Sequence, residues 1–115
     1  MKTIILDTNF LIDCVKYKID LFTEINRICS FDYKLAVLSS TILELERLKP
    51  TSLNLIKKFI EKMEVIRSEG YVDKILIDLS NKDIIIATHD QELKRRLKGP
   101  VIIIRQKKYL ELKNI

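Results

Sequence analysis

Apolar positions along the chain follow two rhythms that alternate from one end to the other. Five short apolar segments, residues 3–6, 34–38, 64–67, 83–87 and 101–104, look like strands, and several of them are continuous apolar runs. Continuous Ile, Val and Leu, as in IIIA and VIII, is the pattern of strands covered on both faces. Between these runs the spacing becomes helical. Leu21, Phe22, Ile25, Ile28 and Cys29 share one helix face, as do Leu53, Ile56, Ile60 and Met63, and then Val72, Ile75, Leu76 and Leu79. Strand and helix in alternation predict a mostly parallel sheet of about five strands with helices on both sides. Pro50, Thr51 and Ser52 start a helix, Gly70 marks a turn, and Gly99 with Pro100 breaks the chain before the last strand. The closing segment, residues 106–115, is expected to be a last short helix or a frayed tail.

A chain of 115 residues with 47% hydrophobic content is long enough for one domain, residues 1–115, around a core that needs no disulfides. Cys14 and Cys29 have neither CxxC spacing nor a nearby His, so they read as structural thiols of a reducing compartment. No apolar run approaches the roughly 18 residues of a membrane helix, and the amino terminus lacks a signal-peptide pattern. A soluble, cytoplasmic protein with no membrane partner is the expectation. The formal charge of +5 adds a weak pull towards polyanions such as nucleic acid.

Candidate chemistry enters through the acids. Ligand sites of open parallel sheets lie beyond the carboxyl ends of the strands. Asp7 directly follows the first strand, Glu44 lies early in the helix after the second, Asp73 a short turn after the third, and Asp90 just after the fourth in IIIATHD. Several carboxylates at one edge repel strongly, about 4 kcal/mol for a pair 4 Å apart at an effective dielectric of 20. Hard divalent cations such as Mg²⁺ or Mn²⁺ relieve that repulsion, and carboxylate-held ions suit phosphodiester hydrolysis. The competing reading is structural, because Asp before a helix is a favoured N-cap that complements the helix dipole. Spacing alone leaves the two readings open.

DTNFLID, LELERL, GYVDKILID, IIIATHDQELKRRLK and VIIIRQKK, in that order, resemble the successive motifs of PIN-domain ribonucleases. The likeness spans residues 3 to about 108. It is nearest to the archaeal and eukaryotic branch related to small-subunit ribosomal RNA-processing endonucleases, and more distant to VapC-type toxins. It implies a three-layer α/β/α sandwich and Mg²⁺- or Mn²⁺-dependent endonucleolytic cleavage of RNA that leaves a 5′-phosphate and a 3′-hydroxyl. Asp7, Glu44, Asp73 and Asp90 would form the metal-binding, catalytic pocket, with Asp7 central. Asn9 and Thr88 match polar residues beside the first and last acids, where they would orient carboxylates. The resemblance further suggests a homodimer and either an antitoxin or a ribosome-assembly partner.

Two positions need separate treatment. Glu44 and Glu46 lie about 200° apart around a helix, so both cannot face one pocket; the family register favours Glu44. Lys74 stands where many members of this branch carry a second Asp, which puts metal affinity in question. A catalytically silent RNA-binding or scaffold domain is the rival of a different class, and retention of all four acids speaks against it. Lys94, Arg95, Arg96 and Lys98 follow Asp90 as a basic cluster suited to the RNA backbone. Basic side chains at a helix end also complement the macrodipole. His89, the one histidine, reads as a turn residue, and the tyrosines mostly as packing.

Overall fold

The computed structural model describes residues 1–114. The elements run β1 (Lys2–Leu6), α1 (Thr8–Lys16), α2 (Leu21–Ile28), β2 (Tyr33–Leu38), α3 (Ser39–Leu48), α4 (Leu53–Ile60), β3 (Glu64–Ile66), α5 (Val72–Leu79), β4 (Ile84–Ala87), α6 (Gln91–Arg96), β5 (Val101–Arg105) and β6 (Tyr109–Lys113). They form one sheet in the order β3-β2-β1-β4-β5-β6. All neighbours are parallel except β5 and β6. The three-layer α/β/α sandwich anticipated from the two rhythms is therefore present.

Strand alternation sends successive side chains to opposite faces. Ile4, Leu6, Val37, Ile85, Ala87, Ile102 and Ile104 pack with Phe10, Leu21, Leu45 and Ile56 of α1 to α4. Ile5, Ala36, Leu38, Ile86, Val101 and Ile103 pack with Val72 and Leu76 of α5 and Leu93 of α6. Each fully buried Ile or Leu contributes about 1.5–3 kcal/mol relative to exposure. That gain on both faces is why β4 and β5 are apolar almost throughout, whereas the edge strands β3 and β6 carry polar residues.

The tail departs from expectation. Residues 109–113 form neither helix nor frayed end but a sixth strand, paired antiparallel with β5 from Arg105↔Tyr109 to Val101↔Lys113. Gln106 and Lys107 make the reversal with φ of 52° and 56°, and the N–H of Lys108 donates to the carbonyl of Arg105 at 3.0 Å. Two consecutive left-handed residues are what a tight hairpin needs. The outer edge of β6 is closed by α2: Glu24 accepts the Leu110 N–H at 2.9 Å, and Arg27 donates to the Leu110 carbonyl at 2.8 Å. A bidentate Arg27–Glu24 pair holds both side chains there. At Leu110 this blocks the edge against pairing with another strand.

The chain runs outward from β1 through β2 to β3 on one side of the sheet, then returns to begin again at β4. The switch in direction lies between β1 and β4. There the divergent connections leave a crevice at the carboxyl ends of the strands.

Candidate active site

Asp7 sits at that crevice, and its carboxylate is buried, only 4% exposed. Its backbone N–H extends the sheet to the carbonyl of Ala87 at 2.9 Å, while its carbonyl accepts the first α1 bond from Leu11 at 3.1 Å. One carboxylate oxygen accepts the N–H of Thr8 at 2.8 Å, so Asp7 is indeed the N-cap of α1. The other accepts the hydroxyl of Thr88 at 2.9 Å, across 81 residues of sequence. Thr88 Oγ1 also accepts the N–H of Asp90 at 3.2 Å, so one buried hydroxyl ties the first acid to the loop that bears the last.

Burial pushes the Asp7 carboxyl up from 3.8 to about 6; the bonds from Thr88 and Thr8 oppose the shift, and the charges of Asp73 and Glu44 add to it. Burial likewise raises Asp73, with contributions from Asp90 and Glu44 and opposition from Arg96. The charge of Glu44 thus reaches both Asp7 and Asp73, and that of Asp90 reaches Asp73. Glu44 is half-buried on the inner side of α3, whereas Glu46 is exposed and reaches Lys57 of α4 at 3.8 Å. The two glutamates of α3 therefore have different neighbours, Glu44 the Asp7 carboxylate's field and Glu46 a lysine. Asp73 is exposed in the first turn of α5, whose N-cap is Tyr71. Asp90 is exposed and caps α6, one oxygen accepting Glu92 N–H at 2.9 Å and Leu93 N–H at 3.2 Å. Capping and clustering thus coexist in Asp7 and Asp90.

The remaining sequence candidates divide. Thr88 is fully buried and bonded to Asp7, while Asn9 is exposed on α1 and makes no side-chain hydrogen bond among the described residues. Of the basic cluster, Arg96 faces the acids, lining a shallow groove with Tyr71, Asp73 and Lys74. Arg95 is held by Glu92 at 2.7 Å. Lys94 lies on the other side of α6 in a cleft with Lys113. Lys98 lies with Lys2 and Lys82 at the amino-terminal edge of the strands, away from the acids. The helical turn spreads these residues around α6, so a run of basic letters does not become one patch. His89 is exposed. Cys14 is buried, its thiol pushed up to about 12 by burial, and therefore inert as a nucleophile.

An all-oxygen acidic set favours a hard cation. Two observations bear on the fit. Asp7 is a buried carboxylate without a cationic partner, and the adjacent Thr8 hydroxyl is buried with no hydrogen-bond partner. No three His, Cys, Asp or Glu side chains among the described residues stand close enough to hold one ion together. The residues fit an ion that keeps much of its water and takes one or two carboxylates, the habit of Mg²⁺.

Comparison with known proteins now adds to this geometry. Residues 4–107 match the sequence profile of a family described as a PIN like domain. The chain belongs to this PIN-like family. A curated relative, Ribonuclease VapC4 of Methanocaldococcus jannaschii, is 34% identical, with 97% of each chain covered. The solved structure of the PIN domain endonuclease Utp24 superposes with a TM-score of 0.80 at 24% identity, covering 98% of this chain and 92% of that one. At that identity the likeness to Utp24 shows the fold. This PIN domain keeps its acids at the carboxyl edge of the sheet, and no helix among the described residues is long and apolar enough to cross a membrane.

Proposed function

We propose that the protein is a Mg²⁺- or Mn²⁺-dependent endoribonuclease that hydrolyses RNA phosphodiester bonds, with Asp7, Glu44, Asp73 and Asp90 as its acidic pocket. The observation that carries this reading is the buried Asp7 carboxylate, fixed by Thr88 at the topological switch point and surrounded by negative rather than positive neighbours. A structural cap has no need of burial among other acids, since an exposed Asp caps equally well. Asp7 with Glu44 or Asp73 would hold the ion. A bound divalent ion supplies water activation and stabilises charge building on the phosphate. Thr88 keeps Asp7 in one orientation, and Arg96 stands where it can meet a phosphate beside Asp73.

The 34% identity to a VapC ribonuclease along nearly the whole of both chains supports a VapC-like role, with an antitoxin as partner, over ribosomal RNA processing. Lys74, exposed beside Asp73, gives the pocket less negative charge than an acid there would. The expected consequence is weaker metal affinity with the same chemistry. The test is cleavage of labelled single-stranded RNA by wild type and Asp7→Asn in EDTA, Mg²⁺ or Mn²⁺, with melting temperature read in parallel. Metal-dependent cleavage to 5′-phosphate products by wild type alone supports the reading. Binding of RNA with no cleavage under any metal would establish the silent scaffold domain instead.

A further inference from the structure

Beside Glu44, on the side away from Asp7's strand neighbour β4, a groove of about 410 Å³ opens between α3 and the segment joining β3 to α5. Two of its wall residues, Tyr71 and Leu43, do nothing evident for the fold. Tyr71 is 85% exposed and Leu43 61%, although both are large and apolar. Isolated exposed leucines are ordinary, but an aromatic and a leucine bared in one concavity are an unfilled contact surface. Arg47, one helical turn beyond Glu44, lines the same groove together with the carboxylates of Glu44 and Glu69.

The floor is rigid. Ser39 Oγ accepts the Ser68 N–H at 2.9 Å and donates to its carbonyl at 3.1 Å, and Ser68 Oγ accepts the Ser40 N–H at 3.2 Å. The Ser40 and Ser68 hydroxyls lie 2.8 Å apart. These bonds pin the β3–α5 segment to the start of α3. Gly70, at φ +104°, then turns the chain and presents Tyr71 at the rim.

We propose that this groove is a subsite for one unpaired nucleotide of RNA flanking the cleaved phosphate, its base stacked on Tyr71 against Leu43 and its phosphate met by Arg47. The inference rests on the nuclease reading above and extends it to a named part of the substrate. A base within a duplex has both faces covered by its neighbours, so only an unpaired one can offer a face to Tyr71. Glu44 belongs to both the groove and the acidic pocket, which makes the two continuous. Arg47 is the groove's single cation, on a different element from Tyr71, and it offsets one of the two acids, Glu44 and Glu69, that share the lining. The exposed Tyr71 platform offers the base a stacking face, and the Arg47 guanidinium is the one cationic group in the groove that can donate to a phosphate.

The test uses the full chain carrying Asp7→Asn, so that RNA binds without being cut, and single-stranded RNA bearing 2-aminopurine at successive positions. Tyr71→Ala is expected to weaken binding of single-stranded RNA about 5- to 100-fold and to abolish the 2-aminopurine quenching at one position. Tyr71→Phe retains both. Arg47→Gln weakens binding and flattens its salt dependence, and none of the three changes binding of duplex RNA. Because Tyr71 is so exposed, an unchanged melting temperature confirms that each variant folds. If Tyr71→Ala binds single strands as the parent does, with quenching intact, the subsite is overturned while metal-dependent cleavage by wild type leaves the nuclease reading standing. A Tyr71→Ala variant that changes its sedimentation mass but not its RNA binding overturns it too, and makes the groove a protein interface. If the parent neither binds nor cuts RNA, the nuclease reading fails first, and the subsite with it.

Discussion

Replacing Asp7 with Asn separates a structural acid from one kept for chemistry, because the two roles predict opposite signs. Asp7 is buried, and its carboxyl is pushed from 3.8 to about 6. At 1.36 kcal/mol per pKa unit that difference corresponds to about 3 kcal/mol of destabilisation when the group is ionised in the folded protein. The folded state binds more protons than the unfolded one between pH 4 and 6, so stability falls as pH rises through that window and the penalty is complete above it. Asn keeps the oxygen that accepts the Thr8 N–H and removes the charge, at some cost in the bond with Thr88. A net gain of about 2 kcal/mol in metal-free buffer at pH 8 is expected, or roughly 8 °C in melting temperature for a domain of this size. The gain shrinks to nothing near pH 4. Thermal melts of both proteins from pH 4 to 8 in EDTA, repeated with Mg²⁺, provide the assay, and Mg²⁺ should raise the wild-type melting temperature while leaving Asp7→Asn unmoved. A variant that melts lower at pH 8, or a difference that does not change with pH, refutes the reasoning and leaves Asp7 as a cap alone.

Three further outcomes follow from the contacts. Thr88→Val keeps the shape of a fully buried side chain but strands the Asp7 carboxylate and the Asp90 N–H; it should cost about 1–3 kcal/mol in urea unfolding and reduce cleavage, with Thr88→Ser restoring both. Gly99→Ala would press a new Cβ into the Asn81 carbonyl, a backbone contact that cannot rotate away, so a loss of about 3 kcal/mol is expected from the same experiment. Arg27→Ala frees the Leu110 carbonyl and loosens Glu24 from the Leu110 N–H; it should destabilise by about 1–2 kcal/mol and cause concentration-dependent association in light scattering, as an uncovered edge strand does.

The sequence by itself determined the layers and the roster of acids. Strands buried on both faces must be apolar throughout, so IIIA and VIII announce themselves, and acids that follow strands fall at one edge of any parallel sheet. Tertiary structure decided which of these meet. Thr88 reaches Asp7 because β4 lies beside β1, and strand order is set by packing of the helices, not by any local preference. Glu44 and Glu46 are indistinguishable on a helical wheel, and the contrast arises from α4, which brings Lys57 to one, and from the crevice beside the other. The basic run after Asp90 was legible as charge but not as a patch, since α6 turns Arg96 towards the acids, Lys94 away from them, and ends before Lys98. Strand β6 escaped notice because its hairpin is made by Gln106 and Lys107 without glycine or asparagine, and because its outer edge is satisfied by Glu24 and Arg27 from the far end of the chain. Local energies write the first kind of information into short windows of sequence; the second exists only as contacts between residues that the sequence keeps apart.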